Sequence, residues 1–286
     1  MHYARPSSIE EATRLLAEAK GNAFVLAGGS DLLVGMKSGF VEPDLIVDIK
    51  TIGGLGEIEK SEEGFRIGAA VPCSVMGESS DLKKAWPGVV EAANLIGSKQ
   101  VQGRCTIVGN LCNASPAADS VPALVAAGAK AVVAGPGNRR TIAIEDVTTG
   151  PGKTSLGKGE IIEAVLLGNR PARSADAYLR FIPRTEMDIA VVSAGVNLTL
   201  DGAGVVQTAR VALGAVAPTV LLVAGAAEAI IGTKLDDEAL DKLRAACSAA
   251  CRPIDDKRGT VHFRKKVAGV LAERAAKIAY ERAGEE

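Results

Sequence analysis

Two adjacent glycines between an apolar run and a helix-like run constrain this chain more than any other feature. Residues 24–27 (Phe-Val-Leu-Ala) have the composition of a buried strand, Gly28 and Gly29 follow at once, and Ser30-Asp31-Leu32-Leu33 opens an amphipathic pattern. A strand that passes into a helix over two glycines gives the backbone conformations closed to other residues and lets it approach a bound anion. Ser30 is placed to cap that helix and to offer a hydroxyl. A helix over 30–38, stopped at Gly39, and a strand over 44–49 complete a compact β-α-β unit. The full Gly-x-Gly-x-x-Gly pattern is missing and the helix is short, so the usual dinucleotide-binding fold is not indicated.

A second stretch, 106–119 (Thr-Ile-Val-Gly-Asn-Leu-Cys-Asn-Ala-Ser-Pro-Ala-Ala-Asp), packs short polar side chains between apolar runs. Asn110, Asn113, Ser115 and Asp119 offer donors and acceptors without bulk, which suits the polar half of a nucleotide. Taken alone, 113–116 is equally an ordinary capped turn leading into a helix over 121–127. Two such sites together suit a pyrophosphate.

Other chemistry is sparse. The 33 basic and 34 acidic side chains leave no net charge to draw the chain to nucleic acid or an anionic membrane. Its five cysteines are odd in number and show no Cys-x-x-Cys spacing, so neither a disulfide framework nor a zinc ribbon nor a complete iron–sulfur set is expected, and reduced thiols in the cytosol are. Only His2 and His262 are available, which disfavours a histidine-based triad. The start of the chain lacks a signal-peptide pattern, and residues 211–232, nearly free of charge, are broken by Pro218 and glycines into a strand, a turn and a buried helix rather than a membrane span. Residues 150–155 (Gly-Pro-Gly-Lys-Thr-Ser) mimic part of a P-loop, but Val147 replaces the leading glycine and no apolar helix follows, so an exposed loop is expected.

The remaining pattern is mixed. A helix over 8–20 with a Ser8/Glu11 capping box comes first; a strand over 64–71, helix over 74–95 broken at Pro87, and strands near 129–133, 141–144 and 160–167 follow. Strands over 177–182, 189–200 and 208–216 precede helices over 237–250 and 261–280, the last with a stripe at Phe263, Val267, Leu271, Ala275 and Ile278.

Residues 26–33 and 106–119 together resemble the paired flavin-binding motifs of the FAD-carrying medium subunit of the molybdenum hydroxylases, the xanthine dehydrogenase and carbon monoxide dehydrogenase group. The likeness continues through 184–192, 210–218 and 256–260, nearly the whole chain; Val108 stands where the family usually has the first of two glycines. The resemblance implies an α+β fold: a two-lobed, PCMH-like FAD-binding domain over 1–172, with lobes of about 1–55 and 56–172, then a sheet-plus-helices domain of the CO dehydrogenase flavoprotein type over 173–286. It implies noncovalent FAD held by Val25, Leu26, Ala27, Gly28, Gly29, Ser30, Asp31, Leu32, Thr106, Gly109, Asn110, Asn113, Asp119, Ile162 and Arg180. Arg180 replaces a lysine common in relatives, and Ile96 stands where some have an aromatic that packs on the flavin. No catalytic side chain or metal ligand is expected of the chain itself. The implied role is an oxidoreductase subunit: electrons pass from molybdenum-pterin on a large subunit, across [2Fe–2S] clusters on a small subunit, through FAD here to an external acceptor. The implied assembly is a cytoplasmic dimer of heterotrimers with no membrane span and no nucleic-acid partner. Two other readings stay open, a self-sufficient flavin oxidoreductase and a nucleotide-binding assembly module without redox function.

Overall fold

The computed structural model describes residues 1–285, an α+β molecule with two buried cores. Strand β1 (His2–Ala4), helix α1 (Ile9–Glu18), β2 (Ala23–Leu26), α2 (Leu32–Lys37) and β3 (Leu45–Asp48) form the opening unit. Its sheet is parallel, in the order β1-β3-β2. The capping box forms in a displaced way: Ser8 Oγ accepts from Glu11 N–H, but Glu11 returns its carboxylate to Ser7 N–H at 2.8 Å. Ser30 does not cap α2; the N-cap is Asp31, which makes no side-chain cap, and Ser30 Oγ donates to Asp31 instead.

A five-stranded antiparallel sheet follows. It comprises β4 (Ile58–Ser61) and β5 (Gly64–Gly68), then, after six short helices, β6 (Lys130–Gly135), β7 (Asn138–Ala143) and β10 (Ile161–Gly168), in the order β4-β5-β10-β6-β7. Between β7 and β10 lies a small hairpin, β8 (Thr148–Gly150) with β9 (Lys153–Thr154). The six helices are α3 (Cys73–Glu78), α4 (Ser80–Ala85), α5 (Pro87–Ala93), α6 (Lys99–Gln102), α7 (Ile107–Cys112) and α8 (Ser120–Ala126). The run over 74–95 breaks twice rather than once, because Ser79 leaves helical geometry to cap α4 before Pro87 starts α5.

The last sheet is antiparallel, β11 (Ser174–Phe181), β12 (Val192–Leu200), β13 (Val206–Gly214) and the two-residue β14 (Leu221–Leu222). Helices α9 (Ala224–Glu228), α10 (Asp237–Ala250) and α11 (Val261–Glu285) complete the chain, and α11 packs on one face of the sheet. The buried side of α11 is an alanine face, Ala268, Ala272, Ala275, Ala276, Ala279 and Ala283; of the expected stripe Phe263 is exposed, while Leu271 and Ala275 are buried. No helix among the described residues is long and apolar enough to cross a membrane.

The other face of this sheet rests on α5 and α8, so β12, most of β11 and the second half of β13 are covered on both sides. Alternation along β11 sorts the two faces. Ala175 and Ala177 join the core under α11, whereas Asp176, Tyr178 and Arg180 reach back to the first part of the chain. Asp176 accepts from Val89 N–H at the start of α5 at 3.0 Å and from Arg170 at 3.0 Å. On β13, Arg210 donates twice to the Val125 carbonyl at the end of α8 and once to Glu145. Helix α8 comes so close that a Cβ on Gly195 would lie 2.7 Å from Pro122 O.

Candidate cofactor site

A cavity of about 560 Å³ opens between the parallel unit and the five-stranded sheet. One wall is the loop after β2, the other is the start of α7 with the chain that follows it, and strand β10 closes the end through Ile161 and Ile162. A volume of this order falls in the range of small-molecule and cofactor pockets.

The two glycines of the first wall serve different ends. Gly28 lies against the second wall: a Cβ there would sit 2.0 Å from the Arg104 carbonyl. Gly29 takes φ +76°, a left-handed conformation that a β-branched residue does not tolerate, and turns the loop into α2. Among the described residues, the N–H groups from Gly28 to Leu32 donate to no protein acceptor. Among the described residues no Lys or Arg lines this cavity; its charged side chains are Asp31 and Glu160, and Glu160 is engaged by Arg140 and by Gly157 N–H. An anionic ligand would therefore be held by backbone amides rather than by cations. Those free donors and the close glycine packing fit a pyrophosphate.

The second wall is fastened from several directions. Thr106 Oγ1 accepts from Gly109 N–H at 2.9 Å and starts α7. Asn110 Oδ1 accepts from Ser120 N–H and Ser120 Oγ, at 3.1 and 2.7 Å, so this amide joins the start of α8 to α7. Asn113 Nδ2 reaches across to Asp31 Oδ1 at 3.3 Å and links the walls. Ala114, at φ +50°, gives its carbonyl to Gly152 N–H of the β8–β9 hairpin. Asp119 is buried, and its carboxylate accepts from Arg180 Nη1 at 2.7 Å and Tyr178 Oη at 3.2 Å. Burial raises the Asp119 pKa while Arg180 and Tyr178 pull it back, and burial beside Asp119 keeps the Tyr178 phenol protonated.

Of the residues singled out in the sequence, Val25, Ala27, Gly28, Gly29, Ser30, Asp31, Leu32, Thr106, Gly109, Asn113 and Ile162 line the cavity. Leu26 is buried behind it; Asn110, Asp119 and Arg180 lie outside its lining, the last two as the ion pair joining α8 to β11. The residues missed include Val41, Ile49, Cys112, Gly152, Thr154 and Glu160. Gly152 and Thr154 belong to the partial P-loop mimic: the segment is largely exposed, as expected, yet the hairpin leans over the cavity. Burial pushes the Cys112 thiol up to about 12, so it forms a neutral wall rather than a nucleophile. A further recess of about 350 Å³ lies past Phe24 and Glu160 toward Lys158.

Residues 1–169 match the model of the FAD binding domain in molybdopterin dehydrogenase, and residues 177–279 match the CO dehydrogenase flavoprotein C-terminal domain. The carbon monoxide dehydrogenase medium chain of Afipia carboxidovorans is 34% identical over 281 residues, 98% of this chain and 97% of that one. The xanthine dehydrogenase FAD-binding subunit of Escherichia coli O157:H7 is 28% identical, with 99% and 97% covered. The solved carbon monoxide dehydrogenase from Hydrogenophaga pseudoflava that lacks the Mo-pyranopterin moiety has a chain that superposes with a TM-score of 0.94 at 31% identity, covering 99% of this chain and 98% of that one. With the backbone cradle and full-length agreement in hand, the chain belongs to the FAD-binding medium-subunit family of the molybdenum hydroxylases, flavoprotein subunits of oxidoreductases whose cofactor is FAD.

Proposed function

We propose that this chain passes electrons from the [2Fe–2S] clusters of a small partner subunit, fed from a large molybdenum-pterin subunit, through its FAD to an external acceptor. The observation that carries the reading is the cavity walled by both motifs and bridged by Asn113 and Asp31, with free backbone donors on one side. In this reading Ala27 to Leu32 hold the pyrophosphate, Thr106, Gly109 and Asn113 hold the facing polar atoms, and Val25 and Ile162 pack on the remainder. Leu26 and Asn110 support these walls from behind, and Asp119 with Arg180 flanks the 113–119 segment where the chain leaves the cavity. FAD, when bound, supplies the exchange between one- and two-electron steps.

Attachment is noncovalent, since among the described residues no histidine lines the cavity and the one cysteine that does, Cys112, is held as the thiol. The division of the chain at 172/173, with lobes meeting near residue 55, belongs to the same proposal, as do a cytoplasmic setting and a dimer of heterotrimers. Mixing purified large, small and medium chains with substrate tests the relay: flavin bleaching is expected with all three and none when the small chain is omitted. Bleaching of the medium chain alone by aldehydes or purines would instead identify a self-sufficient oxidoreductase, and a colourless chain that takes up no FAD would leave only an assembly module.

A further inference from the structure

Three segments of the C-terminal region meet at one buried guanidinium. Arg264, on the first turn of α11 and 4% exposed, donates from Nη1 to Val191 O at 2.6 Å and Ala215 O at 3.3 Å. Its Nη2 reaches Asp256 Oδ1 at 2.7 Å and its Nε reaches Gly259 O at 3.4 Å. Val191 leads into β12, Ala215 opens the turn after β13, and Asp256 and Gly259 close a bridged turn before α11. Only a planar fork with several donors satisfies so many acceptors at fixed angles; a lysine brings a single nitrogen.

Ala215 is the member that reaches the cofactor region. It sits at φ +62°, a conformation that a residue with a Cβ keeps only where its surroundings hold it. From there its N–H donates to Pro116 O at 2.7 Å. Pro116 lies between Asn113, which lines the cavity, and Asp119, which is gripped by Tyr178 and Arg180. A continuous path of hydrogen bonds therefore runs from Asp256 through Arg264 and Ala215 to the second wall.

We propose that Arg264, oriented by Asp256, is a positioning residue for FAD: it holds Ala215 in the left-handed conformation that fastens Pro116, and so sets the wall carrying Asn113 before the cofactor arrives. Order established in advance is order the ligand need not impose, so the effect falls on affinity. The inference rests on the reading of 106–119 as one wall of the FAD site.

The test titrates the full-length apo chain with FAD and follows amide exchange in 114–119 and 212–217. Arg264→Lys and Asp256→Asn are expected to weaken FAD by roughly 10-fold, the change that about 1.4 kcal/mol produces, and to speed exchange in both segments. Leu243→Ala, a fully buried position in α10, serves as the control: it lowers the unfolding midpoint but leaves FAD affinity near wild type. Wild-type affinity in both Arg264→Lys and Asp256→Asn overturns the proposal, as does an equal loss of affinity in Leu243→Ala. Should Arg264→Lys fail to fold, Asp256→Asn, which keeps an oxygen acceptor for the guanidinium, decides by the same readouts. Gly29→Val separates the two levels: if it too binds like wild type, the cavity reading fails, and if it alone loses FAD, only the role of Arg264 fails.

Discussion

The two walls of the cavity are built on opposite principles. The loop after β2 has few side-chain bonds of its own; its shape comes from Gly28 packed on the Arg104 carbonyl and from Gly29 at positive φ. The facing segment has ordinary residues, and its shape comes from partners elsewhere in the chain: Ser120 on Asn110, Gly152 on Ala114, Ala215 on Pro116, Tyr178 and Arg180 on Asp119. One wall depends on what its two glycines permit, a left-handed turn and a close approach to Arg104, the other on hydrogen bonds from distant side chains and loops. The first is accordingly sensitive to the identity of one residue, the second to the loss of a distant partner.

Breaking the first wall carries the largest expected effect on binding. Gly29→Val combines forbidden φ with a side chain whose Cβ lies 3.0 Å from Leu26 and Leu33 methyls, and FAD binding should be abolished in a fluorescence titration while far-UV circular dichroism stays close to wild type. Breaking the second wall should show as lost stability first. Asp119→Ala strands the Arg180 side chain, 5% exposed, without its carboxylate, and a cost of about 3–5 kcal/mol is expected by denaturant unfolding, with weakened FAD binding following from it.

The seam behind the second wall offers a pH test. Burial raises the Asp176 pKa from 3.8 to about 6, so the folded chain binds the extra proton between those values. This contribution to stability is fully present below about 3.8 and is lost as pH rises through about 6. Asp176→Asn should flatten that part of the unfolding-midpoint profile, by an amount of order 3 kcal/mol at most in the native range. The smallest effect belongs to Asn110→Ala. Its amide oxygen holds Ser120 rather than lining the cavity, so about 1–3 kcal/mol should appear in global stability, with a lesser change in FAD affinity. Equal losses of FAD affinity in Asn110→Ala and Gly29→Val would erase the contrast between the walls.

The same contrast explains what was legible in the sequence. Glycines, an apolar strand and a helix start are local signals, so the first wall could be read directly from residues 24–33. The helix over Asp237–Ala250 was legible for the same reason, with Asp236 capping Ala239 N–H. Strand β4 was not, because as an edge strand its Glu59, Lys60 and Ser61 face solvent and show no apolar alternation. The buried face of α11 was legible in part: Leu271 and Ala275 are buried and Val267 and Ile278 pack against the core, but the centre of the face is alanine, which carries little hydrophobic weight, and Phe263 is exposed. The Asp119–Arg180 pair spans 61 positions and the Arg210–Val125 contact 85, distances over which no local pattern points from one residue to the other. Family resemblance did point to Asp119 and Arg180, but as cofactor contacts rather than as partners of each other.

The burial of most of the last sheet on both faces also has a consequence for how the protein is made. The ribosome releases α5 and α8 well before β11, β12 and β13 exist, so the surface under Gly195 and Gly214 waits uncovered while the second core is still being synthesised. Segments that later donate to Val125 O, to Asp119 and to Pro116 arrive only with residues 178–215. A nascent chain halted near residue 172 therefore carries the glycine loop complete, while the opposite wall has Ser120 and Gly152 in place but not yet Tyr178, Arg180 or Ala215. It should gain the capacity to retain FAD late in translation, when its C-terminal sheet closes over α8.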